Sequence, residues 1–414
     1  MNGMDGMDRQ LHELLEAAVG EPPRKVSIET VRRRVARRRV FEYASGAAAV
    51  AIIAALTPAS IGAFSNGPAA PQTGVQGPAR GPIVYVVNSG SGTVTPIRTA
   101  NNTALPPIKT GHLPQAVAIT PDGTTAYVAN TRSGTVVPIR TATNTALPPV
   151  KTSRGPRAIA ITPGGKTAYV VNSSTVTPIQ TATNTALPPV KVGDAWAIAI
   201  TPDSKTAYVT SLSLSTAIPI HIATNTALTP VKVGHLPIAI AITPDGTTAY
   251  VLDEGGKPGM VTPIRTATNT ALPPVKTGRT PAAIAITPDG KTVYVANYLY
   301  RGGTVTPIRT ATNTALPPIK TGVSSFAVAI TPDGKTAYVV NQSRSTVIPI
   351  RTATNTALAP VKVGRIPQAI AITPDGKTAY VVNGGTVTPI RTATNTALPP
   401  VKVGRGPTAI AITP

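Results

Sequence analysis

From residue 83 onward, apolar and polar positions come in short packets rather than helical stripes. Ala-Ile-Ala-Ile (369–372) is followed by Thr-Pro-Asp-Gly-Lys (373–377), Thr-Ala-Tyr-Val-Val (378–382), Asn-Gly-Gly (383–385) and Thr-Val-Thr-Pro-Ile-Arg-Thr (386–392). Runs of four to seven residues bounded by Pro, Gly, Asn and Asp read as strands and turns. Pro374-Asp375-Gly376 predicts a tight turn, because Pro fixes φ and Gly accepts positive φ. A fourth strand is predicted over 397–403. Its Pro399-Pro400 pair removes two backbone donors, which only an outermost strand tolerates. The small Ala-Ile strand then belongs at the crowded centre.

The packet repeats. Tyr85, Tyr127, Tyr169, Tyr208, Tyr250, Tyr294, Tyr338 and Tyr380 follow one another at steps of 42, 42, 39, 42, 44, 44 and 42 residues. A period of about forty with four strands per unit is that of propeller blades. The first unit lacks an inner strand, since it opens at Ile83, and the chain ends on a surplus one, Ala409-Ile410-Ala411-Ile412-Thr413-Pro414. If the last strand completes the first unit, an all-β propeller of eight four-stranded blades closes without a free edge. Seven blades and a spare repeat are the alternative.

These repeats resemble the YVTN family of β-propellers, on Tyr-Val-Val-Asn at 85–88, 169–172, 338–341 and 380–383, and on Ala-Ile-Thr-Pro-Asp-Gly at 118–123, 241–246, 285–290, 329–334 and 371–376. The resemblance implies the fold and an extracytoplasmic or surface setting, and is weak for function. Where that family usually carries Asp on the third strand, this chain has Arg98, Arg140, Arg265, Arg309, Arg351 and Arg391, with Gln180 and His221. An acidic ring becomes a basic one.

The start of the chain differs. Residues 1–43 contain the only helix-like text, Leu11, Leu14, Leu15 and Val19, and the basic cluster Arg32–Arg34 and Arg37–Arg39. Residues 44–64 form an apolar run long enough to cross a bilayer of roughly 30 Å. By the positive-inside rule its N-terminal side is cytoplasmic and all that follows is exported. A single-pass anchor is the leading reading, with a cleaved signal sequence and a buried helix as competitors; Arg38-Arg39-Val40-Phe41 also resembles a twin-arginine signal. Residues 65–82 read as a Pro/Gly linker, and 83–414 as the propeller.

Chemistry is sparse. With no Cys and 4 His, thiolate sites are excluded and imidazole chemistry is scarce. No nucleophile triad or metal-ligand spacing occurs, so neither catalytic residues nor a cofactor or metal are expected. Length varies almost only between second and third strands, which gathers variable text on one face with the connections between blades. That face supplies the candidate ligand-binding residues Trp196, Asp253, Glu254, Tyr298, Tyr300 and Arg301. Each has a plainer reading: the aromatics as packing, Asp253-Glu254 as a solvated loop, and the Asp of each Pro-Asp-Gly as a turn residue.

Residues 65–414 hold 29 Lys/Arg against 9 Asp/Glu. The strand-three arginines and a lysine series from Lys109 to Lys402 make the charge periodic. It serves solubility, or attraction to anionic envelope polymers. Nucleic acid is disfavoured, because export and few aromatics both count against it. The expected function is a membrane-tethered binding or scaffold module in the cell envelope, engaging an anionic polymer or a protein partner. The alternatives are a propeller enzyme of lactonase or quinoprotein type and a structural surface-layer component.

Overall fold

Every second strand is buried along nearly its whole length, as in Thr125–Asn130, where all but the first residue is inaccessible. A strand of a two-layer sandwich would alternate; here both faces are covered, because each sheet is pressed between two others. The computed structural model describes residues 81–299 and 302–414 and shows eight antiparallel sheets. The segments 1–43 and 44–64 and all but the end of the 65–82 linker lie outside the described residues. Among the described residues no helix is long and apolar enough to cross a membrane.

Blade 1 contains Ile83–Asn88, Thr93–Arg98 and the outer pieces Thr103–Ala104 and Ile108–Lys109. Its inner strand is Pro407–Ile412 from the other end of the chain, paired Val84 to Ile412 and Val86 to Ile410. Ile83 N–H donates to Thr413 Oγ1 at 2.8 Å, and Thr413 N–H returns to Ile83 O at 3.0 Å. The inner strands of blades 2 to 8 are Pro114–Ile119, Ala158–Ile161, Ala195–Ile200, Pro237–Ile242, Pro281–Ile286, Ser325–Ile330 and Ala369–Ile372. The ring closes on eight blades rather than seven.

Large-against-small packing holds neighbours together. Blade 2 presents Ala116, Ala118, Tyr127 and Ala129 to Ile159, Ala168, Val170 and Ile179 of blade 3. The Tyr127 hydroxyl crosses the interface and donates to Asn184 Oδ1 at 2.6 Å. The same bond recurs around the ring, from Tyr85 to Asn144 and finally from Tyr380 of blade 8 to Asn102 of blade 1. Each accepting Asn turns the corner between third and outer strands with φ of 50° to 55°, which Asn tolerates better than most residues. Burial pushes these phenols up, Tyr127 to about 12, so the bonds persist across ordinary pH.

The outer strand is not continuous over 397–403. It breaks into Thr396–Ala397 and Val401–Lys402. The reason lies on both sides of the ladder. In blade 1, Leu105 N–H donates to Pro96 O at 2.8 Å, so this edge of the third strand, where Pro96 has no N–H, faces Pro106 and Pro107. Neither side has donors to continue the pairing.

Candidate functional site

The two faces of the ring differ in kind. On one, the Pro-Asp-Gly turns are near copies of each other. Thr120 Oγ1 donates to Asp122 Oδ1 at 2.5 Å and Thr124 N–H donates to the same oxygen at 3.0 Å, which holds the carboxyl below its usual range. The same Thr-to-Asp bond recurs at Asp203, Asp245, Asp289, Asp333 and Asp375. These carboxylates are turn residues, as expected. Among the described residues no group of three His, Asp or Glu could hold a metal ion.

On the other face, the loops between second and third strands lean on the connections that enter each blade. Ser89 N–H donates to Gly406 O at 2.8 Å, Arg132 N–H to His112 O at 3.3 Å, and Tyr298 N–H to Thr280 O at 2.8 Å. Each connection carries a left-handed residue just before or at the start of the inner strand, including Leu113, Leu236, Thr280 and Ile366 at φ of 51° to 55°. In blades 1, 2 and 4 to 7 the inner strand then bulges, as between Pro114 and Ala116.

The residue at this point differs between blades while its neighbours repeat. Blades 4 to 7 carry Trp196, Ile238, Ala282 and Phe326, an apolar arc; blades 8, 1, 2 and 3 carry Gln368, Thr408, Gln115 and Arg157, a polar arc. The arcs meet where the Arg157 guanidinium lies 4.7 Å from the Trp196 ring centroid. Burial lowers the affinity of Arg157 for its proton, and the nearby Asp194 charge opposes that effect. The sequence carries the signal, since Gln115, Arg157, Trp196, Ile238, Ala282, Phe326 and Gln368 each stand 12 residues before the Tyr of their blade.

The other candidates scatter. Trp196 is buried in the inner strand of blade 4. Tyr298 belongs to the loop of blade 6 and meets Phe326 edge-on, centroids 6.2 Å apart. Asp253 and Glu254 sit in blade 5, and Tyr300 and Arg301 lie outside the described residues. Trp196, Tyr298 and Asp253 thus occupy three blades and form no single cluster.

Asp253 is not part of a solvated loop. It takes the place that Asn88, Asn172, Asn297 and Asn383 hold elsewhere, at the buried end of the second strand. Those Asn donate Nδ2–H to a third-strand Thr, Asn88 to Thr95 at 2.9 Å; in blade 5 the bond reverses and Thr262 Oγ1 donates to Asp253 Oδ2 at 2.6 Å. Burial raises the Asp253 carboxyl to about 7 and that of half-buried Glu254 to about 7. The signal was present in the sequence: Asp253 stands three residues after Tyr250, as Asn88 does after Tyr85.

The basic residues form two exposed belts. The arginines end the third strands beside the regular face, Arg98 paired with Thr103, and the lysines lie toward the variable face, Lys109 paired with Thr93. Lysines of the regular turns are partly offset, as in Lys205 with Asp203 at 3.6 Å.

The family model described as Lactonase, 7-bladed beta-propeller, matches residues 206–323, from the second strand of blade 4 to the connection into blade 7. No curated relative matches the sequence. Among solved structures, the Kuenenia stuttgartiensis hydrazine synthase is 22% identical at a TM-score of 0.58, covering 67% of this chain and 95% of that one. Dihydro-heme d1 dehydrogenase NirN is 14% identical at 0.68, covering 80% and 74%. A functionally unknown protein from Desulfotomaculum acetoxidans DSM 771 is 20% identical at 0.56, covering 67% and 94%. At these identities the likeness is one of fold. The described residues form an all-β domain of the β-propeller fold, closed as eight blades.

Proposed function

We propose that the chain is a binding module of the cell envelope, exported behind the 44–64 segment and engaging its partner through the variable face. One observation carries the reading: the scaffold is nearly identical from blade to blade, and difference is concentrated on one face, where loops on a rigid ring usually bind. The belts add long-range attraction to anionic envelope material, which screening confines to about 8 Å at physiological salt.

The test levels that face. A variant with the second-to-third-strand loops and entering connections of blades 2 to 7 replaced by those of blade 8 should keep its circular dichroism spectrum but capture no envelope component that the native propeller captures. Equal capture by both would place binding elsewhere. A reporter active only in the cytoplasm, fused after Pro414, should stay silent; activity there would remove the export part of the reading.

The lactonase-family match over 206–323 favours a second reading, a propeller enzyme. It requires converging polar groups, and the ionisable residues of blades 4 to 6 include the buried Asp253 and adjacent Glu254 near neutrality. Turnover of a lactone panel by the purified chain, lost in Asp253→Asn, would establish it in place of the binding reading.

A further inference from the structure

The variable face is polarised. Of the nine acids after residue 64, six lie in the regular-face turns; the other three, Asp194, Asp253 and Glu254, belong to blades 4 and 5. Blades 8, 1, 2 and 3 therefore present no carboxylate on the variable face, yet they expose Arg365, Arg405, Arg132 and Arg154, with His112 among them. Beneath them lies the polar arc, including Gln368, Thr408 and Gln115.

Two aliphatic side chains stand in the same sector. Leu113 is 41% exposed with φ of 55°, and Ile366 is 51% exposed with φ of 51°. The other two connections of the sector use Gly155 at φ of 70° and Gly406 at φ of 60°, and in blade 5 the equivalent Leu236, at φ of 53°, is half-buried rather than exposed. A branched residue here is unfavourable twice, in backbone conformation and in exposed apolar surface. Leu214 is also exposed, at 55%, but it lies on blade 4 and has an ordinary φ.

We infer that blades 8, 1, 2 and 3 dock an acidic peptide segment carrying aliphatic side chains, supplied by a protein partner. This rests on the binding-module reading and names its partner. Arginine forks match Asp and Glu carboxylates, and the one variable-face acid whose charge reaches the sector, Asp194, acts on Arg157 at its blade 4 border. The amides of Gln115 and Gln368 suit the groups of an extended backbone. Leu113 and Ile366 offer contacts for its apolar side chains, which a plain polyanion would leave unused. Half-buried glutamines are poorly placed for a lipid surface, and the sector exposes no Trp, Tyr or Phe on which a sugar could stack, its tyrosines being fully buried.

The experiment screens the propeller, a closed ring with its own core, against a display library of random dodecapeptides. Enriched peptides are then resynthesised with a fluorophore and their affinities read by anisotropy. Acidic, aliphatic peptides should be enriched. Arg132→Gln, Arg365→Gln and Arg405→Gln together should weaken binding at least tenfold, while Arg98→Gln, Arg140→Gln and Arg391→Gln, an equal charge loss on the other face, should change it less than twofold. Leu113→Asn with Ile366→Asn should weaken binding at least fivefold without lowering the melting temperature, since Asn accepts positive φ.

Equal losses from the two arginine sets would overturn the proposal. So would binding to vesicles of 30% phosphatidylglycerol in phosphatidylcholine with no peptide enriched. Peptides without acids whose binding is lost in Tyr298→Ala would overturn the acidic partner and leave the binding module standing on blades 4 to 7. Lactone turnover with no peptide, vesicle or envelope component bound would remove both readings.

Discussion

Removing residues 407–414 is expected to abolish the native ring, not merely trim an end. The deletion takes away the inner strand of blade 1 and with it the buried side chains of Ala409, Ile410 and Ile412. Burying one Ile is worth roughly 1.5–3 kcal/mol, and the strand facing the gap, Ile83–Asn88, would also lose its ladder partners. Blade 8 would lose the neighbour its inner strand packs against, and the Tyr380 to Asn102 bond with it. Summed against a typical total stability of about 5–15 kcal/mol, the loss should leave an aggregating chain, or one melting at least 15 °C lower. Thermal circular dichroism with size-exclusion chromatography checks this. A monomer with unchanged melting temperature would mean that the ring does not depend on closure by its C-terminus.

The second large effect belongs to Asp253. Its carboxyl titrates near 3.8 when solvated and about 7 in the fold, where burial disfavours the charge. The native state therefore binds the proton more tightly than the unfolded chain. Its stabilising contribution is complete below pH 4 and is lost as pH rises through 7. Three pKa steps correspond to roughly 4 kcal/mol at pH 8. Asp253→Asn restores the side chain used at Asn88 and Asn172, with Nδ2–H free to donate to Thr262 as Asn88 donates to Thr95. The variant should resist urea better than the native protein at pH 8 and about equally at pH 4. Glu254 is half-buried and adds a smaller dependence of the same sign. A native urea midpoint that rises between pH 4 and 8 would contradict the burial of Asp253.

What the sequence disclosed follows from what repetition reports. The tyrosine period, the Pro-Asp-Gly turns and the complementary ends give the strands, their order and the closure, because each is a local chemical need met eight times. The interruption of the outer strand was less visible: Pro399-Pro400 signalled an edge, but the break also depends on a second proline, equivalent to Pro96, across the ladder. Burial of Asp253 escaped because Asp beside Glu and Gly reads as a loop, whereas its distance from Tyr250 places it at the end of a strand. Trp196 shows the opposite limit. The sequence marks it as unusual, but only packing shows Arg157 over its ring. The polar and apolar arcs depend on which blades are neighbours, and blades 8 and 1 become neighbours only through closure by the last strand.

The claim that matters most is that function resides on the variable face. It is tested most directly by placing a photo-crosslinking amino acid at Arg132, Ser343 or Arg405 on that face, and at Thr143, Lys335 or Lys377 on the regular one, in the full chain within living cells. The account predicts discrete adducts from the first set, strongest at Arg132 and Arg405, and none from the second. Adducts arising from Thr143, Lys335 or Lys377 alone would contradict it.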